Sequence, residues 1–466
     1  MINIRSYGAT QEVTGSCHIV EIDDKKIMID CGMFQGEEEE ENQKSFEFNP
    51  CDIDYVLVTH AHLDHIGRIP KLIKEGFSGE IYATTPTMEL AYIILMDSAK
   101  IMNEDFNTRK RKAVRKAQDK LLKKPLYGPL DVQKTFNQTT WVNPEYDTYY
   151  ELCEGISVNY KNAGHILGSA FIELSYMEKG KSKSIVFSGD IGNSNKLVLP
   201  DLQKCKRANT LYIETTYGDR DHQSIKSTIK EFKKVIISTL NKKGNILIPS
   251  FAVERTQELL CILRDMYNKG ELPKCKIFLD SPMATKATEV YRKYNTKLSG
   301  KCQHNVEEDG TVFNFNSLIY TQTPTASKAI NDVKSRAIII AGSGMCNGGR
   351  ITHHFKHRIW NPKNAVLFVG YQAKGTLGRK LVEGTEWINL YGEDIIVKAS
   401  IHTINGFSAH ADQKAMIKWV SKIKKLEKVF LIHGEKESQK VFKKAIKEKL
   451  DIDAHIVKHK EKIILN

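Results

Sequence analysis

At 466 residues the chain is long for a single core, so two domains are the default, and 41% hydrophobic with 27% charged residues is ordinary globular composition. No apolar run approaches the roughly 20 residues that span a bilayer, and the start shows no secretory-leader pattern, which argues against a membrane protein and predicts a cytoplasmic one. Nine scattered cysteines without a C-x-x-C pair argue against a disulfide framework and a thiolate zinc site, while a net charge of +13 favours a polyanionic partner.

Taken in order, residues 2–4, 17–22 and 26–30 alternate as antiparallel edge strands, the last ending in Asp30. The acidic run Glu37 to Glu41 reads as a solvated loop. Residues 55–58 form a β-branched run that delivers Thr59-His60-Ala61-His62-Leu63-Asp64-His65 at a strand's C-terminal edge. Three imidazoles and a carboxylate so close together are ligands for divalent metal, and their spacing suits two ions side by side better than one ion fully wrapped. Asp30 is aimed at the same sheet end, where it can orient a ligand from behind.

A helix over 70–76, a strand over 79–84 and a long helix from Thr87 toward Met102 follow. Residues 108–124 carry nine basic side chains and one acid, Asp119, as either a solvated helix face or a phosphate contact. Strand 157–160 leads to His165 between Gly164 and Gly168. Strand 184–187 leads to Gly189-Asp190, and strand 211–213 ends in Glu214. A histidine and an acid at strand exits beside glycine, after the His cluster, extend the ligand reading to His165 and Asp190.

The sequence then alternates helices with strands at 245–249, 276–280, 337–341 and 365–371, which predicts a second α/β layer with a parallel sheet. Its loop Gly342-Ser343-Gly344-Met345-Cys346-Asn347-Gly348-Gly349-Arg350 opens a helix, where backbone N–H groups and Arg350 can hold a phosphate. On that helix His353, His354 and His357 read equally as contacts to a polyanion or plain surface, and His402 reads as structural. The strand-end pattern returns with His410 and with His433-Gly434, which implies a domain interrupted by an insertion.

The Thr-His60-Ala-His62-Leu-Asp64-His65 motif, with Asp30 before it and His165 and Asp190 after it, resembles the metallo-β-lactamase fold. Glu214, His410 and His433 resemble the further motifs of the β-CASP nucleases, and residues 249–255 and 341–345 resemble that family's inserted domain. The whole is similar to prokaryotic ribonucleases related to the endonuclease of pre-mRNA 3′-end processing. The resemblance implies an αββα sandwich over 1–207 and 393–466, interrupted by a mainly parallel α/β β-CASP domain over 208–392. It also implies two Zn2+ per chain, one held by His60, His62 and His165 and the other by Asp64, His65 and His433, with Asp190 bridging. Asp30 would orient a ligand, His410 would be the general acid oriented by Glu214, and Ser343, Gly344, Met345 and Arg350 would contact phosphate.

The activity implied is zinc-dependent hydrolysis of single-stranded RNA, endonucleolytic and leaving 5′-phosphate and 3′-hydroxyl ends, without a membrane partner and compatible with a homodimer. A histidine at 433 resembles the RNA-acting branch. The alternatives are a hydrolase of a small thioester or lactone, a DNA-acting or 5′-exonucleolytic β-CASP nuclease, and a catalytically silent RNA-binding subunit.

Overall fold

The computed structural model describes residues 2–115, 122–299 and 313–465. Residues 116–121 of the basic segment, and Cys302, lie outside them. The chain divides into two compact units, one of Met1–Ser194, Asp201–Asp221 and His410–Asn466, the other of Asn195–Pro200 and His222–Ala409.

The first unit holds two seven-stranded sheets. One runs, in spatial order, Ile463–Leu465, Ile2–Ser6, His18–Ile22, Lys25–Ile29, Tyr55–Leu57, Glu80–Tyr82 and Thr140–Val142. Its first four strands are antiparallel, three of them those expected within residues 2–30, and the rest are parallel. Successive residues Ile27, Met28 and Ile29, and again Val56, Leu57 and Val58, are buried, so both sheet faces are covered.

The other sheet runs Ala454–Ile456, Lys428–Ile432, Thr210–Glu214, Lys181–Phe187, Ala170–Glu178, Ile156–Asn162 and Tyr149–Cys153. Ile4, Ile29 and Leu57 of the first sheet and Ile172, Phe187 and Tyr212 of the second share one core between the layers. On the outer face of the second sheet, Phe171, Val186, Leu211 and Ile213 pack with Trp419 of helix Gln413–Val420 and with Phe442 and Ile446 of helix Lys436–Leu450. Helices Ile69–Lys74, Thr85–Val114 and Pro129–Gln138 form the other outer layer of this αββα sandwich. Each large side chain so buried stabilises the unit by about 1.5–3 kcal/mol.

Helix Thr85–Val114 is capped by Thr84, whose Oγ1 accepts from Thr87 N. It runs well past the expected Met102 because residues 103–114 contain no glycine or proline and are rich in Lys and Arg, whose unbranched stems favour helix. Among the described residues no helix is long and apolar enough to cross a membrane.

The second unit is built on a six-stranded sheet in the order Leu318–Tyr320, Lys276–Asp280, Ala337–Ala341, Ile246–Pro249, Ala365–Phe368 and Ser400–Thr403. Every pairing is parallel. Leu247, Ile339 and Val366 pack with Ile351, Phe355 and Ile359. Residues 208–221 group with the first unit because Thr210–Glu214 pairs with Lys181–Phe187 and Lys428–Ile432. Residues 393–409 group with the second because Ser400–Thr403 pairs with Ala365–Phe368.

Candidate metal centre

Strand ends of both sandwich sheets deliver the candidate residues. Asp30 follows Lys25–Ile29 with φ +58, and Thr59-His60 follow Tyr55–Leu57. His62 precedes a single turn, Leu63–Ile66, which carries Asp64 and His65. His165 sits in the turn after Ile156–Asn162, where Ser169 Oγ accepts from its N–H at 3.0 Å. Gly189, at φ +51, brings Asp190 in past Thr59; a Cβ there would stand 2.7 Å from Thr59 Cβ, so no other residue fits without displacement. His433 ends Lys428–Ile432, its N–H bonded to Ala9 O at 2.8 Å and its C=O to Thr215 N at 2.9 Å.

Two donor groups result. His60, His62, His165 and Asp190 form one, and Asp64, His65, Asp190 and His433 the other, with each group's ligand atoms within 4.8 Å of one another. Asp190 belongs to both: Oδ2 lies 3.4 Å from His60 Nε2 and 3.5 Å from His165 Nε2, and Oδ1 lies 3.4 Å from His65 Nε2 and 3.5 Å from His433 Nδ1. Ring nitrogens face one another at 3.0 Å (His60 Nε2 to His62 Nδ1), 3.1 Å (His165 Nε2 to His62 Nδ1) and 3.2 Å (His65 Nε2 to His433 Nε2). Lone pairs converge this closely only around a shared proton or cation; bonds of ~2.0–2.1 Å in a tetrahedral zinc site place donors about 3.3 Å apart. Asp190 Oδ1 is moreover buried without a hydrogen-bond partner. An imidazole and carboxylate set with no cysteine fits divalent zinc.

The surroundings fix tautomers. Thr59 donates its hydroxyl proton to Asp30 Oδ2 at 2.8 Å, so at 3.1 Å it accepts from His60 Nδ1, leaving the Nε2 lone pair to face the group. Asp30 Oδ2 also takes His65 Nδ1 at 2.7 Å, and its Oδ1 takes Thr59 N at 2.8 Å. Thr216 Oγ1 lies 3.2 Å from His433 Nδ1. Burial lowers His60 and pushes His62 down to about 4, which favours the neutral ring that metal binding needs. Burial acts against protonation of His65 too, but the Asp190 and Asp30 carboxylates outweigh it and raise its pKa. Thr59 and Thr216 escape sequence reasoning, although Thr59 stands directly before His60.

Glu214 and His410 stand beside the first group. Glu214 is fully buried, its Oε1 accepting from Ile191 N at 2.7 Å. His410 pairs antiparallel with Gly192, and its Nδ1 lies 3.2 Å from Glu214 Oε2 and 3.9 Å from Asp190 Oδ2. Burial disfavours charge on His410, but Glu214 and then Asp190 raise its pKa to about 9. Asp190, Glu214 and His410 are a third set of converging donors.

Ser343, Gly344, Met345 and Arg350 lie in the second unit, after strand Ala337–Ala341. The Arg350 guanidinium is engaged within that unit: NH1 donates to Asp280 Oδ1 at 2.6 Å and Thr321 O at 3.0 Å, and NH2 to Gln322 O at 2.8 Å. His354 corrects the surface or polyanion-contact expectation. It is buried, its Nε2 2.7 Å from Asp280 Oδ2, because Arg350, His354 and Arg358 recur at i, i+4 and i+8 on the face toward Asp280. His353 and His357 are exposed, His353 stacking on Tyr391, and His402 Nε2 lies 3.0 Å from Ser400 Oγ.

Three family models match the chain: the metallo-beta-lactamase superfamily over residues 10–126, the Beta-Casp domain over 256–381, and the Zn-dependent metallo-hydrolase RNA specificity domain over 394–457. Ribonuclease TTHA0252 of Thermus thermophilus is 39% identical over 437 residues, covering 94% of each chain. This chain belongs to the β-CASP ribonuclease family. As a family member it is a metal-dependent hydrolase of the nuclease type, built on the metallo-β-lactamase fold. The transcription termination factor FttA of Methanococcus maripaludis is 32% identical over 96% of this chain and 70% of its own length. FttA of Methanocaldococcus jannaschii is 31% identical over 98% and 72%. A crystal structure of a protein of unknown function from Enterococcus faecalis V583 shares the fold, with a TM-score of 0.56 at 12% identity over the full length of both chains. The His60–His65 motif lies inside the first matched segment, residues 343–350 in the second, and His410 and His433 in the third; His165, Asp190 and Glu214 fall in none.

Proposed function

We propose that the chain is a zinc-dependent ribonuclease that cleaves phosphodiester bonds of single-stranded RNA endonucleolytically, leaving 5′-phosphate and 3′-hydroxyl ends. The observation that carries this reading is the pair of donor groups sharing Asp190, with the Glu214–His410 pair alongside. His60, His62 and His165 would hold one Zn2+, Asp64, His65 and His433 the other, and Asp190 both. When bound, two such ions lower the pKa of water and stabilise the charge that develops in phosphodiester hydrolysis.

The protein's own groups do the rest. Asp30 and Thr59 hold the His60 and His65 rings so that Nε2 faces inward. His410, kept protonated by Glu214, donates its proton to the leaving 3′ oxygen. Ser343, Gly344 and Met345 contact phosphate, and Arg350 acts through the loop it anchors to Asp280. The surplus of basic residues draws the polyanion in, and an RNA substrate is supported by the name of the Thermus relative and the description of the 394–457 model.

The test is cleavage of a circular single-stranded RNA by the purified protein, with end analysis of the products. Cutting of the circle to 5′-phosphorylated fragments is expected. An intact circle with degradation of a linear RNA would replace the endonuclease reading by a 5′-exonuclease. Turnover of a thioester with both RNAs intact would overturn the ribonuclease reading itself.

A further inference from the structure

In the second unit the segments leaving strands Ile246–Pro249, Ala337–Ala341 and Ala365–Phe368 lie together at the C-terminal end of the parallel sheet. Ligands of open parallel sheets bind at such ends. Two large aromatic side chains are left in solvent there, Phe251 at 47% and Tyr371 at 48% exposure. Phe251 is nonetheless held in place. A Cβ on Gly344 would lie 2.8 Å from its Cδ2 and Cε2, and one on Gly370 3.9 Å from Cε2, so the ring rests on the backbone at Gly344, close to Gly370.

Those two loops are tied by Gln372, buried to 5% exposure, whose Nε2 donates to Gly344 O at 3.0 Å, Gly370 O at 3.2 Å and Tyr371 O at 3.1 Å. A Cβ on Gly378 would lie 1.7 Å from Gln372 Oε1, so the clamp requires glycine there as well. Ser343, directly before Gly344 in the chain, has a buried Oγ without a hydrogen-bond partner, and Lys374, two residues after Gln372, is exposed. An exposed ring on a glycine floor, on loops that also carry an unsatisfied hydroxyl and a cation, has the components that take an unpaired nucleotide: a π face for the base and polar groups for its phosphate.

We propose that Phe251 and Tyr371 form a base-stacking platform for unpaired nucleotides of the RNA. This rests on the RNA reading above. A partner protein fits less well, because a docking patch is a contiguous apolar area, whereas these rings are set among glycine and polar residues. Stacking of this kind tolerates any base, since every base offers a π face, and its loss costs about five- to a hundredfold in affinity.

The experiment is equilibrium binding of the metal-loaded full chain, with His410→Ala as the common background to prevent cleavage, to a uridine dodecamer and to the same backbone carrying abasic riboses. The background protein should prefer the uridine strand by about tenfold or more. Phe251→Ala and Tyr371→Ala should each lose affinity for the uridine strand and narrow that preference, while Phe251→Trp retains it. Full preference in both alanine variants would overturn the platform while leaving RNA binding intact. A background protein that binds neither strand would overturn the RNA reading and the platform together.

Discussion

Both carboxylate oxygens of Glu214 face Nδ1 of His410, at 3.3 and 3.2 Å, and Ile191 N fixes that carboxylate from the other side at 2.7 Å. With Asp190 these residues also form a donor set of their own, so a proton-donor role and a ligand role make different predictions. His410→Ala should keep two zinc ions per chain, counted by elemental analysis, while RNA cleavage falls by roughly a hundredfold or more. Glu214→Gln should likewise keep its metal and lose activity. A drop in zinc content in the His410 variant would make His410 a ligand and remove the proposed acid.

Asp190 offers one oxygen to each donor group, and Oδ1 has no hydrogen-bond partner of its own. Asp190→Asn removes the one anionic donor that the two groups share and turns an NH2 toward one of them. The expected result is loss of at least one ion per chain, with activity falling below detection in a cleavage assay. Two ions retained at wild-type affinity would show that Asp190 does not bridge.

Asp30 touches no member of the donor groups except through His65 Nδ1 at 2.7 Å, yet it also fixes Thr59 by two bonds of 2.8 Å. Asp30→Asn removes the charge behind the ring and allows the wrong tautomer. Zinc affinity should weaken by about ten- to a hundredfold, measured by competition with a chelator, in keeping with other carboxylate–histidine–metal arrangements. An unchanged affinity would reduce Asp30 to a packing role.

The strand-end residues were legible in sequence because they stand where apolar runs end or beside glycine, as with Val56-Leu57-Val58 before His60 or Val186-Phe187 before Gly189-Asp190. Strand termini put polar groups at one sheet edge whatever the order of the chain. Residues whose partners are remote were not legible. His354 looked like helix surface because nothing local shows that Asp280, 74 positions earlier, is buried opposite it. The segment Asn195–Pro200 falls inside the 1–207 span expected for the sandwich, but it groups with the second unit, where Val198 O and Leu197 O accept from Ser299. Tertiary pairing decides such cases, and a single sequence carries no trace of it.

That same segment brings Lys196 Nζ to 3.9 Å from Glu254, a fully buried acid at φ +66 whose Oε2 accepts from Tyr291 OH at 2.7 Å. Burial raises the Glu254 pKa from 4.5 to about 7, Lys196 opposing and Glu258 adding to it. The folded state therefore keeps a proton that the unfolded chain releases above pH 4.5. Stability contributed by this group is full below that pH and falls as pH rises, with the loss complete a little above pH 7. Glu254→Gln cannot ionise and removes the dependence. Thermal midpoints of the two proteins, compared between pH 5 and pH 8, should diverge in the variant's favour by the equivalent of on the order of 1–3 kcal/mol. A gap that stays constant across this range would mean that Glu254 is already ionised in the folded protein, with Lys196 outweighing burial.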